Sequence, residues 1–147
     1  MSELTPAGSE YEGRVRESFA RQRVMRLFGA SLERVAPGAV DVAFAYREDL
    51  TQQDGYVHAG VITAVADSAC GYAAYTLMPA GSGVLSVEFK VNLLRPAAGD
   101  EFVAEARVVK AGRTLTVTRC DVYARAGAET KLVATMLATM IRQSRES

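Results

Sequence analysis

A chain of 147 residues fits one domain, and at that length roughly 68–70% of the extended surface is buried, so one core needs no covalent staples. Hydrophobic residues make up 49% and charged residues 23%, which excludes a disordered or collagen-like polymer. Lys plus Arg number 17 and Asp plus Glu number 17, so no net charge draws the chain to nucleic acid or to an anionic membrane.

The cysteines, Cys70 and Cys120, form neither a disulfide framework nor a metal spacing, which predicts a reducing, cytoplasmic setting. A single histidine, His58, excludes most zinc sites, and no metal is expected. Met1 to Gly13 carries acids and glycine instead of a basic and then apolar leader, so no signal peptide is predicted.

In chain order, residues 1 to about 8 read as a flexible end. Ser9 and Glu12 have capping-box spacing, and Tyr11, Val15 and Phe19 recur every four residues. One helix or two short ones are predicted between Ser9 and Gly29, with Arg14, Arg16, Arg21 and Arg23 mostly solvated among Glu12 and Glu17. Ala30–Val35 and Val40–Tyr46, split by Pro37-Gly38, read as a strand pair, and Arg47–Gly55 as a loop.

Ala59 to Met78 is the most apolar stretch and is rich in Ala and Gly. It is long enough to span a membrane, but Asp67, Thr63 and Ser68 lie near its middle and no basic anchors flank it. It reads instead as a helix wrapped by protein on nearly all sides, its small side chains admitting a curved sheet. Pro79 ends it, and Gly81-Ser82-Gly83 turns the chain. Four alternating runs follow: Leu85–Leu93, Phe102–Val108, Leu115–Tyr123 and Leu132–Met140, predicted as an antiparallel meander. Residues 143–147 read as a charged tail. The fold class is therefore α+β, a single domain in which about six antiparallel strands wrap a central helix, with an N-terminal helix in addition.

Asp67 in this apolar helix needs an explanation, because burying an unpaired carboxylate costs several kcal/mol. Either it bonds to a neighbouring loop or to Ser68, or it lines a cleft and does acid–base or nucleophilic work. The helix opens at Gly55-Tyr56-Val57-His58-Ala59-Gly60, where free backbone N–H groups can hold a carbonyl oxygen that becomes negative during acyl transfer. Eight residues separate Ala59 from Asp67, ~12 Å along a helix axis. Both can act on one acyl carbon only if they come from different chains, which predicts a homodimer with two shared sites. Cys70 and His58 are twelve residues apart, ~18 Å on a helix, so they make no catalytic pair. No Gly-x-Ser-x-Gly elbow, phosphate loop or dinucleotide fingerprint occurs.

The run Gln52-Gln53-Asp54-Gly55-Tyr56-Val57-His58-Ala59-Gly60, followed by Asp67 in an Ala-rich helix, resembles the PaaI-like branch of the hotdog-fold acyl-CoA thioesterases. Leu85-Ser86-Val87-Glu88-Phe89, Leu94-Arg95-Pro96 and Lys110-Ala111-Gly112-Arg113-Thr114 fit the same pattern, and the resemblance spans roughly Met25 to Arg142. It implies a hotdog fold, dimers that often pair into tetramers, and hydrolysis of a thioester to an acid and free coenzyme A. It implies Asp67 as general base or nucleophile and the Ala59 N–H as oxyanion donor, with Gly60 and His58 beside it. The family has Gly-Gly after the histidine where this chain has Ala59-Gly60. Six residues before the histidine, where the family often has Asn, this chain has Gln52, with Gln53 next to it, and Ser86 stands where the family has a serine on the strand after the helix. Lys110, Arg113 and Arg95 are candidates to meet the phosphates of coenzyme A, which enters as part of the substrate and not as a cofactor. Two other readings share the fold: an enoyl-CoA hydratase or dehydratase using His58, and a non-catalytic acyl-CoA-binding module.

Overall fold

The structure, a computed structural model, describes residues 4–145. Met1–Glu3, in the expected flexible start, and Glu146–Ser147, in the expected tail, lie outside the described residues.

The N-terminal helical segment is two helices, α1 (Tyr11–Arg21) and α2 (Arg23–Leu27), broken at Gln22, whose backbone is extended. The predicted capping box does not form: Glu10 is the N-cap residue, and it makes no side-chain cap bond. Val15 and Met25 are fully buried, while Glu12–Arg16 and Glu17–Arg21 form exposed ion pairs at 3.0 Å. Arg14 departs from the solvated set. Its guanidinium donates to the Met78 carbonyl at 3.1 Å and lies 5.3 Å from the Tyr75 ring centre, fastening α1 across the far end of the central helix.

Strands β1 (Ser31–Ala36) and β2 (Ala39–Ala45) form a hairpin. Its turn needs Gly38 at φ +70°, and the Gly38 N–H donates to Thr76 Oγ1 at 2.8 Å. A short 3₁₀ turn, Glu48–Leu50, leads to the central helix α3 (Ala59–Tyr75). Strands β3 (Ser82–Leu93), β4 (Glu101–Ala111), β5 (Leu115–Ala126) and β6 (Glu129–Ser144) complete the chain. All six strands form one antiparallel sheet in the order β1-β2-β4-β5-β6-β3.

The sheet packs on α3 through β2 to β6. Ala66, Ala69, Ala73 and Ala74 have no exposed surface, so backbone and sheet approach where longer side chains would hold them apart. Phe44 and Phe102 stack at 5.2 Å in the same core. Among the described residues no helix is long and apolar enough to cross a membrane.

Three expectations need correction. The last four strands are not one meander: β4-β5-β6 is, but β3 pairs with β6 at the sheet edge, because the Leu94–Asp100 connection, broken by Pro96, carries the chain past the intervening strands. Alternation along β3 is interrupted by a bulge between Ser86 and Glu88. Ser86, opposite Met140, therefore shares the helix-facing side with Phe89, Val91 and Leu93, while Leu85 points outward beside Ile141. The third concerns the tail: strand β6 runs two residues into it, Gln143 and Ser144 pairing with Gly83 and Ser82.

The free edge of β3 is unusual. It is twelve residues long, and Val87, Phe89 and Leu93 on it are 53%, 42% and 53% exposed. Long apolar edges of this kind are normally covered, since they present unpaired backbone groups beside apolar side chains.

Candidate active site

The carboxylate of Asp67 sits halfway along α3 and is half-buried. Its Oδ1 accepts a hydrogen bond from the Ser86 hydroxyl at 2.6 Å, and that hydroxyl also touches Met140 Sδ at 3.4 Å. Among the described residues Oδ2 has no partner. Asp67 and Ser86 line an open cleft of about 430 Å³ that reaches the start of β3. The carboxylate is thus oriented by one bond and available at its other oxygen. It is not consumed by internal bonding, and Ser68 instead donates to Gln22 Oε1 at 3.1 Å.

The start of α3 is built by the preceding loop. The Gln52 N–H donates to the Tyr56 carbonyl at 2.8 Å, Val57 N–H to Ala97 O at 3.0 Å, and His58 N–H to Leu50 O at 2.9 Å. His58 is the N-cap residue: its Nδ1 accepts the Gly60 N–H at 2.8 Å. A methyl on Gly60 would lie 3.0 Å from the same nitrogen, which explains a glycine where the ring folds onto the helix. The Gly60 N–H is therefore spent on the cap. Ala59 is the first residue of the helix, and its N–H has no acceptor among the described residues. It lies in a second cleft of about 490 Å³, lined also by Gln52, Arg95 and Leu93.

One chain does not bring all the predicted residues together. Asp67 and Ser86 share one cleft; Ala59, Gln52 and Arg95 share another. Gln52 also holds its own loop, its Oε1 accepting the Asp54 N–H at 2.5 Å. Gln53 is exposed and only meets Asp54, at 3.4 Å. The His58 ring opens on a shallow groove with Leu27, Arg47 and Asp49, away from both clefts. Lys110 is exposed on β4, and Arg113 lines a small hollow at the other end of α3 together with Arg142, a cation that the motifs did not point to. Contact with the Cys70 thiol and burial push the Cys120 thiol well above its ordinary range, so it stays protonated and is no nucleophile. Sequence reasoning missed Gln22 and Ser18, which line the Asp67 cleft with Ser68, Tyr72 and Tyr75. The one available signal was a polar residue interrupting the α1–α2 pattern.

An antiparallel sheet rolled around one helix, with a carboxylate midway along that helix and a free N–H at its start, is the hotdog arrangement expected of a thioester hydrolase. A family model described as the thioesterase superfamily matches residues 54–131, and the chain belongs to that superfamily. A thioesterase family protein from Silicibacter pomeroyi is 49% identical, with 91% of this chain and 98% of that one covered and a TM-score of 0.90. A mutant of the phenylacetic acid degradation protein PaaI from Thermus thermophilus is 28% identical, covering 83% of this chain and all (100%) of that one, with a TM-score of 0.73. A Saccharolobus solfataricus protein provisionally named an esterase is 31% identical over 109 residues, 74% of this chain and 72% of its own. The protein is accordingly a thioester hydrolase.

Proposed function

We propose that the protein hydrolyses acyl-CoA thioesters to a carboxylic acid and coenzyme A, at two sites shared between the subunits of a homodimer. The observation that carries this reading is the Asp67 carboxylate, steadied at Oδ1 by Ser86 and free at Oδ2 in an open cleft. Its separation from the Ala59 N–H, ~12 Å along α3, supports a shared site, because one acyl carbon cannot be in reach of both within a chain. The free apolar edge of β3 beside Ser86 supports the second copy as its cover.

In this reading the Ala59 N–H of one subunit binds the thioester oxygen and stabilises the negative charge that develops there. Asp67 of the other subunit takes a proton from water as it attacks the acyl carbon, or attacks that carbon itself to give an anhydride that water opens. Either way the carbon–sulfur bond breaks and coenzyme A leaves as a thiolate, which takes up the proton given up by the attacking water. In this reading Arg95, which lines the Ala59 cleft, Arg113, which lines the hollow beyond the far end of α3, and the exposed Lys110 are the cations offered to the phosphates. Two dimers pairing back to back or face to face would extend the assembly to a tetramer.

The test is thiol release from a panel of phenylacetyl-, benzoyl- and straight-chain CoA esters. Wild type should release thiol from at least one ester, and folded Asp67→Ala protein should be essentially inactive. Near-normal turnover by Asp67→Ala would remove the assigned role.

A further inference from the structure

The outer face of the sheet, turned away from α3, is ordered by charge. Strand register sets which side chains share a row. Arg107 on β4 stands opposite Arg119 on β5, Arg119 opposite Leu137 on β6, and Leu137 opposite Lys90 on β3. Two residues away along the strands, Asp41 on β2 stands opposite Glu105 on β4, Glu105 opposite Asp121 on β5, and Asp121 opposite Thr135 on β6. The residues between the rows, Ala106, Cys120 and Met136, belong to the core, so both rows lie on the outer side. A row of cations therefore runs beside a row of carboxylates, ~7 Å away at about 3.4 Å per residue.

Pairing within the chain uses only part of this charge. Arg107 holds Asp41 at 2.6 Å, and Arg119 lies 3.5 Å from Asp121. Glu105, placed between Asp41 and Asp121, and Lys90 have no side-chain partner among the described residues. Like charges directly opposite on neighbouring strands are destabilising unless opposite charge meets them. In the middle of this face Leu137 is 53% exposed, at a hollow of about 360 Å³ lined also by Lys90, Asn92, Arg119 and Thr135.

The pattern selects its occupant. A uniformly acidic or basic partner satisfies one row and is repelled by the other. A second copy satisfies both when the two are related by a two-fold axis that runs between the rows and across the strands. Arg107 then lies over the partner's Glu105, Arg119 over the partner's Asp121, and Leu137 over the partner's Thr135, within the hollow. An axis along the strands would instead set cation on cation and acid on acid. Opposed sheets pack about 10 Å apart with their strands nearly aligned, which the first axis provides. Equal numbers of cationic and anionic residues, 17 each, leave no net repulsion between copies.

We infer that this outer face joins two homodimers, sheet to sheet, into a tetramer, with the charged rows fixing the register. The inference rests on the homodimer reading above, because one patch offers a single exposed leucine and salt-screened ion pairs, whereas an edge-joined dimer presents two patches at once. The ion pairs contribute little affinity each, but a slipped register sets like charges together.

The experiment is sedimentation equilibrium with thiol release measured on the same samples. Wild type should be a tetramer at low salt and shift toward dimers as salt rises. Glu105→Arg turns a cation toward the partner's Arg107 without removing any bond inside its own chain; it should give dimers that keep the wild-type melting curve and still release thiol. Arg119→Asp and Asp121→Arg should each give dimers as well. An equal mixture of those two should return to tetramers, because opposite charges again meet across the face, a repair that no change within one chain supplies. Tetramers that survive all three substitutions, or a mixture that stays dimeric, would overturn the inference. Active wild-type dimers at every concentration also defeat it and leave the hydrolase reading standing; inactive wild-type monomers defeat both.

Discussion

Asp67 and Ala59 depend on their neighbours in different ways. The carboxylate is aimed by a side chain from another element, Ser86 on β3, whereas the Ala59 N–H is freed simply by being first in a helix. That difference makes Ala59 unusually testable. Proline is well tolerated at the first helical position, and His58 already has the extended geometry, φ −60° and ψ 138°, that a residue before proline requires. Ala59→Pro should therefore delete the donor without unfolding the helix. The expected result is a fall in kcat of about 10²–10³-fold with an unchanged melting curve, as for loss of one oxyanion donor elsewhere. Unchanged turnover would exclude this N–H from the reaction. Asp67 was legible in the sequence because a charge in an apolar, small-residue helix is conspicuous. Gln22 was not legible as a site residue, because its partner Ser68 lies 46 positions away and only folding joins them.

At the level of elements, the central helix states its environment most plainly. Its alanines predicted close wrapping, and Ala66, Ala69 and Ala73 indeed have no exposed surface. Ala73→Leu should destabilise the protein by about 1–3 kcal/mol, the usual cost of forcing extra methylenes into a filled core. Urea denaturation measures this, and an unchanged midpoint would show that the sheet has slack there. Strand β3 was the less legible element. Its alternation was visible, but a bulge carries no mark in a run of ordinary residues, and it is the bulge that puts Ser86 on the helix-facing side. The pairing of β3 with β6 in place of β4 was equally hidden, since alternation reports which face is buried and not which strand lies alongside.

For the whole molecule, the decisive question is whether each site uses two chains. Phe89, 42% exposed on the helix-facing side of the free edge, should be covered by a second copy. Phe89→Asp should give monomers in sedimentation equilibrium and lose hydrolysis with them. A sharper measurement mixes two inactive variants. Random re-pairing of Asp67→Ala with Ala59→Pro chains makes heterodimers in which one site keeps both an Asp67 and an Ala59 N–H, so activity should return to about a quarter of wild type. If each chain holds its own complete site, the mixture stays inactive.

By itself the sequence determined the elements with strong periodicity, the burial of the central helix on most of its sides, and the conspicuous acid within it. These are local properties: side-chain spacing selects helix or strand, and composition sets what a surface can face. Folding alone decided which strand closes the edge, which serine steadies Asp67, that His58 spends its ring on the Gly60 N–H, and that Gln22 enters the cleft. Each of those depends on groups meeting across long stretches of chain, or on one inserted residue turning a strand. Neither leaves a periodic trace along the chain, because the geometry arises from packing and not from spacing.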